Sequence, residues 1–459
     1  MPSLHFDVVI IGAGPAGIFS ALELARSGVT DVLVLEKGHG IDKRRCPARR
    51  RTCVSCETCD IMTGWGGAGA FSDGKLTLTT EVGGWLGDFV GRGELEELLA
   101  YADGLWLEFG ATTEVHGPDP DMAAELVREA TLAGMKLIPM NIRHLGTERS
   151  PEVLDAMRVW LLEQGVTVRT DTPAARILVD GARVTGVELA DGEVITAGSV
   201  IAAPGREGAD WLTAQAHDLG LKLTNNAVDV GVRVECPAPV MERLTDALYE
   251  AKLVYHTKSF GDTVRTFCMN PNGEVTTESY GDVITVNGHS YAEAKTPYTN
   301  FAVLVSTRFT EPFRDPITYG RSIAKLANLL GDGILVQRLV DLKAGRRSTP
   351  ERISQSLAEP TLANATPGDL AAVLPYRHLT DIVEFLDAME ALAPGIAGPS
   401  TLLYGVEVKF YSSRVEVSAE MQTPIEGLYA IGDGAGITRG LVQSSASGVM
   451  AARAVVARR

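Results

Sequence analysis

Short apolar runs and a helical period alternate at the start of the chain. Residues 8–11 and Val32–Leu35 are continuous apolar runs, which predict short strands buried on both faces. Between them, apolar residues recur every three or four positions from Ile18 to Ala25, which predicts a helix that ends at Gly28. Strand, helix and strand in this order predict the opening of a parallel α/β sheet.

Similar runs return further along the chain. Residues 166–168 read as a strand, and residues 174–200 read as a hairpin run with turns at Asp180-Gly181 and Asp191-Gly192. Residues 425–431 give a turn and another short apolar strand, and Leu441–Ala457 follows as a helix rich in small residues. Small residues allow a helix backbone to approach a neighbour closely, so this last helix is predicted to pack tightly.

The middle of the chain has a different pattern. Residues 94–109, 121–133 and 151–164 are predicted helices, the last opened by Ser150-Pro151 at its N-cap and first turn. From residue 228 to 305 the pattern alternates, with turns expected at residues 270–273 and at Asn287-Gly288, which predicts an antiparallel sheet. Further helices are predicted at residues 322–330 and 382–392.

A glycine motif follows the first strand and carries the first candidate chemistry. Its first glycine allows a tight turn, its second lets the backbone approach a pyrophosphate, and its third lets helix and strand pack closely. The helix N-terminus offers unpaired N–H groups to phosphate, and an acid at the end of the second strand can accept hydrogen bonds from ribose hydroxyls while repelling a 2′-phosphate. The predicted dinucleotide-binding residues are Gly12, Ala13, Gly14, Pro15, Ala16, Gly17, Glu36 and Lys37.

The far end of the chain favours FAD over NAD as the dinucleotide. Asp433, between Gly432 and Gly434, follows the last predicted strand and is well placed to bind a ribityl hydroxyl. The helix after it can direct N–H groups at the flavin pyrimidine, where negative charge gathers on reduction. An NAD site needs no such partner so far along the chain, whereas the longer FAD molecule does. The strand residue Val168 and the turn residue Gly205 complete the predicted site.

Three segments carry a family resemblance: residues 64–76, residues 345–349 and residues 432–448. The chain resembles the one-Rossmann FAD superfamily of flavin hydroxylases and geranylgeranyl-reductase-like enzymes. More narrowly, it is similar to bacterial and archaeal FAD-dependent dehydrogenases whose substrates are largely unassigned. The resemblance implies an FAD-dependent oxidoreductase, with the glycine-rich loop beside the flavin. This loop adds Gly66, Gly67, Ala68 and Gly69 to the cofactor-binding residues, and the catalytic candidates are Lys75, Asp73 and Arg347.

Pattern and resemblance together predict an α/β fold in two domains. A discontinuous Rossmann-type FAD-binding domain with a parallel sheet takes residues 1–80, 150–210 and 400–459. A substrate or cap domain, built of an antiparallel sheet and helices, takes residues 81–149 and 211–399. No second glycine motif follows a strand, so NAD(P)H is expected only as a transient donor without a Rossmann domain of its own.

A basic segment with four cysteines lies between Glu36 and the glycine-rich loop. Cys46, Cys53, Cys56 and Cys59 are spaced C-x6-C-x2-C-x2-C, within reach of six basic residues between positions 43 and 51. Soft sulfur ligands suit an iron–sulfur cluster or zinc, and a redox disulfide or unmetallated thiols are the other interpretation. The arginines are either a solvated loop or a site for pyrophosphate or an anionic substrate.

Charge and composition exclude some classes of binding partner and cellular location. A formal net charge of −16 disfavours nucleic acid and anionic membranes. We find no signal peptide and no apolar run near the roughly 20 residues of a membrane span, so a cytoplasmic protein is expected. The predicted function is hydride transfer at flavin N5 to or from a small organic substrate. The alternatives are an electron-transfer protein that relays electrons from FAD and a cluster to a protein partner, or a flavin monooxygenase.

Overall fold

The computed structural model describes residues 4–47, 56–72, 74–280, 283–290, 295–309 and 315–459. The strands are β1 Leu4–Ile11, β2 Val32–Leu35, β3 Lys75–Thr77, β4 Met135–Ile138, β5 Ile142–His144, β6 Thr167–Arg169, β7 Ala174–Asp180, β8 Arg183–Leu189, β9 Val194–Ala202, β10 Leu223–Thr224, β11 Val228–Pro237, β12 Lys252–His256, β13 Thr263–Asn270, β14 Glu274–Tyr280, β15 Val283–His289, β16 Tyr298–Thr307, β17 Leu335–Arg338, β18 Thr366–Pro367, β19 Leu402–Lys409, β20 Arg414–Val415 and β21 Leu428–Ala430. The α-helices are α1 Pro15–Arg26, α2 Arg92–Glu108, α3 Pro120–Leu132, α4 Gly146–Glu163, α5 Ala209–Asp218, α6 Ala238–Leu248, α7 Pro316–Gly331, α8 Leu339–Lys343, α9 Pro350–Ile353, α10 Tyr376–Met389 and α11 Leu441–Ala457. Short 3₁₀ helices lie at Gly67–Phe71, Leu86–Asp88, Leu370–Ala372 and Asp433–Ala435.

The chain divides into two compact units. The first unit contains Met1–His116, Asn141–Asn226 and Tyr411–Arg459, and the second contains Gly117–Met140 and Ala227–Phe410. Both units are therefore assembled from separated pieces of chain, as the discontinuous pattern of elements predicts.

A seven-stranded sheet forms the centre of the first unit. Its order is β6-β2-β1-β9-β8-β7, and β21 also pairs with β9. β6, β2, β1, β9 and β21 run parallel, whereas β8 pairs antiparallel with both β7 and β9, across the two predicted Asp-Gly turns. α1 and α11 pack against each other beside this sheet. β2 and β21 are short and apolar, and all of their residues are buried, as is typical of parallel strands covered on both faces.

The units differ from the predicted domains in four places: residues 81–116, 141–149 and 211–226 lie in the first unit, and residues 400–410 lie in the second. For residues 81–116 the reason is the apolar face of α2, which packs into the core formed around the parallel sheet and against α11. Pattern alone identifies α2 as amphipathic but not the core that buries it. The buried residues of α2 are Leu95, Leu98, Leu99, Ala102, Leu105 and Trp106.

An eight-stranded sheet forms the centre of the second unit, in the order β18-β17-β19-β11-β16-β13-β12-β4. Its pairs are antiparallel except β17 with β18. Along β11 the valines at even positions face an apolar core that includes α6, α7 and α10. The odd positions Asp229, Arg233 and Glu235 carry charges, yet they are also fully buried.

Two local predictions were wrong. Asn287-Gly288 is not a turn but lies inside β15, where Asn287 pairs with Thr276 of β14. A side chain at Gly288 would collide with the guanidinium of Arg233, so close approach explains this glycine. Helix α4 begins at Gly146 rather than at Ser150-Pro151, and Pro151 lies inside it.

The observed architecture confirms the predicted fold class. The molecule is a mixed α/β protein in which a parallel sheet and separate antiparallel sheets are combined with helices. Among the described residues, none of the helices combines the length and the apolar character that crossing a bilayer requires.

Candidate functional site

Four parallel strands of the first unit end at the same level of the sheet. Ile11, the last residue of β1, pairs with both Leu35 of β2 and Ala202 of β9, and Ala202 also pairs with Ala430 of β21. The residues that follow these strands therefore share one edge. In open α/β sheets this edge, at the carboxyl ends of the strands, is where ligands bind.

The turn after β1 leaves an open space at the start of α1. Gly12 has φ +101°, and a side chain there would collide with the carbonyl oxygen of Ala203. A Cβ at Gly14 would meet no atom of the described residues within 4 Å. Gly14 is the N-cap of α1 and makes no side-chain cap, so first-turn N–H groups of the helix remain available to an anion.

Glu36 holds the glycine turn in place from the end of β2. Its side chain is buried, and it accepts hydrogen bonds from the backbone N–H groups of Ala13 at 2.8 Å and of Gly38 and Gly64 at 2.9 Å. Each carboxylate oxygen can accept more than one hydrogen bond. The same acid can therefore orient the turn and also bind a hydroxyl group of a ligand.

The glycine-rich loop lies against this turn. Gly66 N–H donates to the carbonyl oxygen of Ala13 at 2.8 Å, and a Cβ on Gly67 would lie 3.0 Å from the Cα of Gly14. A Cβ on Gly69 would lie 2.7 Å from Leu441, the first residue of α11. The structure thus brings three separated segments together, and Ala68 lies between the last two glycines.

Arg44 explains how the glycine-rich loop is fixed. This buried guanidinium donates to the carbonyl oxygens of Asp60, Ile61, Trp65 and Gly67 at 2.6 to 3.1 Å. Burial lowers its pKa to about 10, although nearby carboxylates oppose the shift. Arg44 is therefore neither a solvated residue nor an open phosphate ligand, but a clamp on the loop.

Asp433 lies at the edge after β21 and is held by hydroxyl groups. Its Oδ1 accepts from Thr438 Oγ1 at 2.8 Å and from Ser444 Oγ at 2.9 Å. The guanidinium of Arg206, which follows Gly205, lies 3.7 Å from Oδ2. Gly434 approaches the carbonyl oxygen of Gly205 so closely that a Cβ would lie 2.5 Å from it. This places the turn after β9 beside the turn after β21, and Gly432 precedes it with φ +75°.

Helix α11 starts beside this edge without a side-chain cap. Its N-cap is Gly440, and Gln443 in the first turn donates through Nε2 to the carbonyl oxygen of Val82 at 3.0 Å. The Gln443 Oε1 atom is buried and has no hydrogen-bond partner among the described residues. A buried acceptor of this kind needs an explanation, and a ligand donor is one.

The remaining predicted residues have varied positions. Lys37 is exposed and pairs with Glu207; partial desolvation lowers its pKa, while Glu36 opposes the shift. Val168 pairs with Val34 in the parallel sheet. Lys75 begins β3, which packs against α11 in the first unit, whereas Asp73 lies outside the described residues.

Arg347 is exposed and belongs to the second unit. The motif around it has a local role that the sequence does not indicate. Burial alone would raise the pKa of Asp341, but hydrogen bonds from Arg338, Ser348 and Arg346 lower it to about 2. Residues 345–349 are thus tied to α8 through a buried carboxylate.

The cysteine segment is described only in part. Cys46 and Cys59 are half-buried and Cys56 is exposed, while Cys53 lies outside the described residues. Within the described ranges, no group of three or more His, Cys, Asp or Glu side chains could hold a metal ion. The predicted iron–sulfur or zinc site therefore has no support from the geometry.

A further feature of the site that was not predicted from the sequence is the position of Arg439. The guanidinium of Arg439, just before α11, lies between the rings of Trp85 and Tyr411, 4.1 Å from the Trp85 ring centroid. The backbone N–H of Trp85 donates to the backbone carbonyl oxygen of Ile437 at 2.8 Å, which links this residue to the segment just before Arg439. The only sequence signal is the aromatic and basic residue types, which are too common to single out.

Two separate segments of the chain match families of FAD-dependent proteins. Residues 7–44 match the family described as FAD dependent oxidoreductase, and residues 227–410 match the family described as FAD-dependent protein, C-terminal domain-like. The chain is an FAD-dependent oxidoreductase. This confirms the predicted enzyme class and cofactor.

Individual relatives of this FAD-dependent oxidoreductase are distant. It is 25% identical to an uncharacterized protein of Clostridium beijerinckii, over 98% of this chain and 80% of the relative. The solved structure of 3-ketosteroid-Δ4-(5α)-dehydrogenase from Rhodococcus jostii RHA1, in complex with 4-androstene-3,17-dione, is similar over 99% of this chain and 97% of that one, with a TM-score of 0.46 and 14% identity. L-proline dehydrogenase from P. horikoshii is similar over 100% and 95%, with a TM-score of 0.41 and 12% identity.

The residues at the strand ends fit an FAD molecule. Three features of this edge leave room or hydrogen-bonding groups for a ligand. There is open space at Gly14, both α1 and α11 begin at glycines without a side-chain cap, and the buried Oε1 of Gln443 has no donor among the described residues. The acids Glu36 and Asp433 stand after two of the four strands that end at this level. The site is therefore built for a long ligand with anionic and hydroxyl-bearing parts.

Proposed function

We propose that this FAD-dependent oxidoreductase is a dehydrogenase or reductase that transfers a hydride between flavin N5 and a small organic substrate. The observation that carries the proposal is the common edge where β1, β2, β9 and β21 end. Bound there, FAD would supply the two-electron chemistry, and the protein would supply binding and orientation.

Each element at this edge has a proposed part in binding. The open N-terminus of α1 would receive the pyrophosphate at Gly14, and Glu36 would accept from the adenosine ribose while repelling a 2′-phosphate. Asp433, which Thr438 and Ser444 already orient, would bind a ribityl hydroxyl. The N-terminus of α11 would face the part of the flavin that gains negative charge.

The catalytic assignments remain proposals. Lys75, on a strand that packs against α11, is proposed as the cation that stabilises reduced flavin, with Asp73 and the exposed Arg347 as further candidates. Arg439 joins them because it lies two residues before the start of α11 and its guanidinium contacts the Trp85 ring. We also propose the placement within the flavin hydroxylase and geranylgeranyl-reductase-like superfamily, on the segments that carry the resemblance.

The supply of electrons is a separate proposal. NAD(P)H as a transient donor and a cysteine-bound iron–sulfur cluster are the two predicted routes, and a small-molecule substrate with or without a redox protein partner completes the scheme. Since the described cysteines do not form a metal site, the first route is the simpler one.

Substitution of Gly14 tests the proposed FAD position. In Gly14→Val the new side chain meets open space in the protein, so the fold should be preserved, but the side chain would occupy the path of the pyrophosphate. We expect the flavin content of the purified protein to fall at least tenfold. It is measured by flavin absorbance and by chromatography of the released cofactor.

Gly93→Val is the matched control. Gly93, at the start of α2, also has no atom of the described residues within 4 Å of its added Cβ, and it lies away from the strand ends. Its flavin content should equal that of the wild type. Equal flavin content in both variants, with circular dichroism unchanged, would contradict the proposed position.

A further inference from the structure

The second unit contains a cavity of about 330 Å³. This volume is at the lower end of the range of roughly 300 to 1,000 Å³ that is typical of small-molecule sites. Its walls come from the end of β16 and the residues after it, from α7 and from the start of α10. The side chains that matter for its chemistry are Arg308, Phe309, Tyr319, Arg377, His378 and Asp262.

The charge of the cavity wall is not balanced. Arg377 is held by Asp262, which accepts from both Nε and Nη2 of the guanidinium, so these two charges neutralise each other. Arg308 is exposed and forms no hydrogen bond or ion pair with the part of the chain that the structure describes. Among the described residues of the wall, one positive charge therefore remains.

The other polar groups of the wall add no charge. His378 is buried, and its Nε2 lies 2.9 Å from Thr307 Oγ1. Burial lowers the pKa of His378 to about 4, so its imidazole is neutral near pH 7. Ser306 Oγ donates to Asp229 at 2.6 Å. The hydroxyl groups of Ser306 and Thr307 are thus already engaged within the protein.

Two aromatic rings give the cavity an apolar side. Phe309 and Tyr319 are in edge-to-face contact, with their ring centroids 4.8 Å apart. Both lie beside Arg308 on the cavity wall. A ligand that complements this wall has a flat or apolar body and one negative charge.

We propose that this cavity binds a small organic monocarboxylate, with Arg308 as its anion ligand and Phe309 and Tyr319 against its apolar body. The guanidinium fork matches the two oxygens of a carboxylate. Inorganic phosphate shares the anion chemistry, but it carries more charge than a single guanidinium balances and has no apolar part. The site lies within the second unit, so it does not depend on the FAD position proposed above.

Binding of simple acids to the full-length, flavin-loaded protein tests the proposal. The probes are benzoate and phenylacetate, with benzamide as the neutral isostere of benzoate and inorganic phosphate as the competing anion. We expect the two carboxylates to bind with a Kd on the order of 1 mM or tighter, and benzamide and phosphate to bind at least tenfold more weakly. Isothermal titration calorimetry and saturation-transfer NMR measure this.

Two variants locate the binding. Arg308→Gln, at an exposed position, should weaken benzoate at least tenfold without changing the thermal unfolding midpoint. Phe309→Ala should weaken benzoate more than acetate, because only benzoate uses the ring wall. Arg243→Gln, another exposed arginine of the second unit, which pairs with Glu125 and Glu129 and is not among the described lining residues, should leave binding unchanged.

The proposal is wrong if benzamide binds as tightly as benzoate, if Arg308→Gln retains full affinity, or if no acid binds below roughly 10 mM. Flavin content is measured on the same samples. Wild-type protein that binds benzoate but contains no flavin would contradict the FAD proposal alone. Flavin-loaded wild-type protein that binds no carboxylate would contradict the carboxylate site alone.

Discussion

Strand β2 of the first unit and strand β11 of the second unit are both buried, but they differ in what they bury. β2 is apolar on both faces, and Glu36, the polar residue that holds the glycine turn, lies just after the strand ends. β11 alternates valine with Asp229, Arg233 and Glu235, so its chemistry lies along the strand itself. The first unit therefore builds its site from backbone and strand ends, and the second buries a network of paired side chains.

The charged network of the second unit depends on partners from distant strands. Arg233 donates to Asn300 Oδ1 at 2.8 Å and to the carbonyl oxygen of Cys268 at 2.7 Å, and it lies 3.4 Å from Glu407. Glu235 accepts from Tyr404 and Thr361, although burial raises its pKa. Removing one member of such a network leaves another buried without compensation.

The largest predicted effect comes from Arg233→Met. Because Glu407 and Asn300 would lose their buried partner, we expect the free energy of unfolding to fall by about 4 kcal/mol. Urea denaturation followed by circular dichroism measures it. The control is Arg243→Gln, whose exposed pair with Glu129 is worth less than about 1 kcal/mol. Similar losses of unfolding free energy in the two variants would contradict the expected difference between buried and exposed ion pairs.

An intermediate effect is expected in the first unit from Gly448→Ala. The added Cβ would collide with the backbone carbonyl of Ala16, so α11 must shift away from α1. We expect a loss of about 3 kcal/mol, at the upper end of overpacking effects because a backbone atom is the obstacle, together with a lower flavin content. Ser447→Ala, one residue earlier on the same helix, should retain the flavin. A fully flavin-loaded Gly448→Ala protein would show that the helix contact does not shape the site.

The smallest effect is expected from Asp381→Asn in the second unit, and it depends on pH. Burial, and then the nearby Asp262, raise the pKa of Asp381 to about 6. A carboxyl whose folded pKa exceeds its unfolded value stabilises the fold below about pH 4, and this contribution is lost as the pH rises through about 6. The asparagine variant should therefore be more stable than the wild type by about 2 kcal/mol at pH 8 and no more stable at pH 4.

Urea denaturation at pH 4, 6 and 8 measures this difference for Asp381→Asn. Asp387→Asn, an exposed position on the same helix α10, is the control for the Asp-to-Asn substitution itself. A difference between wild type and Asp381→Asn that is the same at all three pH values would contradict the raised pKa.

The parts of the molecule that the sequence predicts well are those in which spacing alone sets the backbone. The glycine motif from Gly12 to Gly17 must form a turn and a helix start, and Leu441–Ala457 was predicted at its observed bounds. Glu36 follows at the end of the next strand for the same reason. Local geometry and apolar burial decide these elements without reference to the rest of the chain.

The parts that could not be predicted depend on partners far along the chain. Arg44 reads as one of several basic residues until its four carbonyl acceptors are seen. Gly288 reads as a turn residue because the guanidinium of Arg233, which leaves no room for a side chain there, comes from another strand. Residues 81–116 read as part of the second domain because α2 carries no signal of which core it joins.

The contact between α1 and α11 has a consequence for the synthesis of the protein. Ser20 Oγ donates to the carbonyl oxygen of Gly448 at 3.1 Å, across 428 residues of sequence. The glycine turn after β1 is therefore synthesised long before α11, the helix that completes the edge proposed for FAD. Cofactor loading at the proposed site then follows the synthesis of α11, and a nascent chain stalled before α11 would hold its glycine turn without the helix that completes the edge.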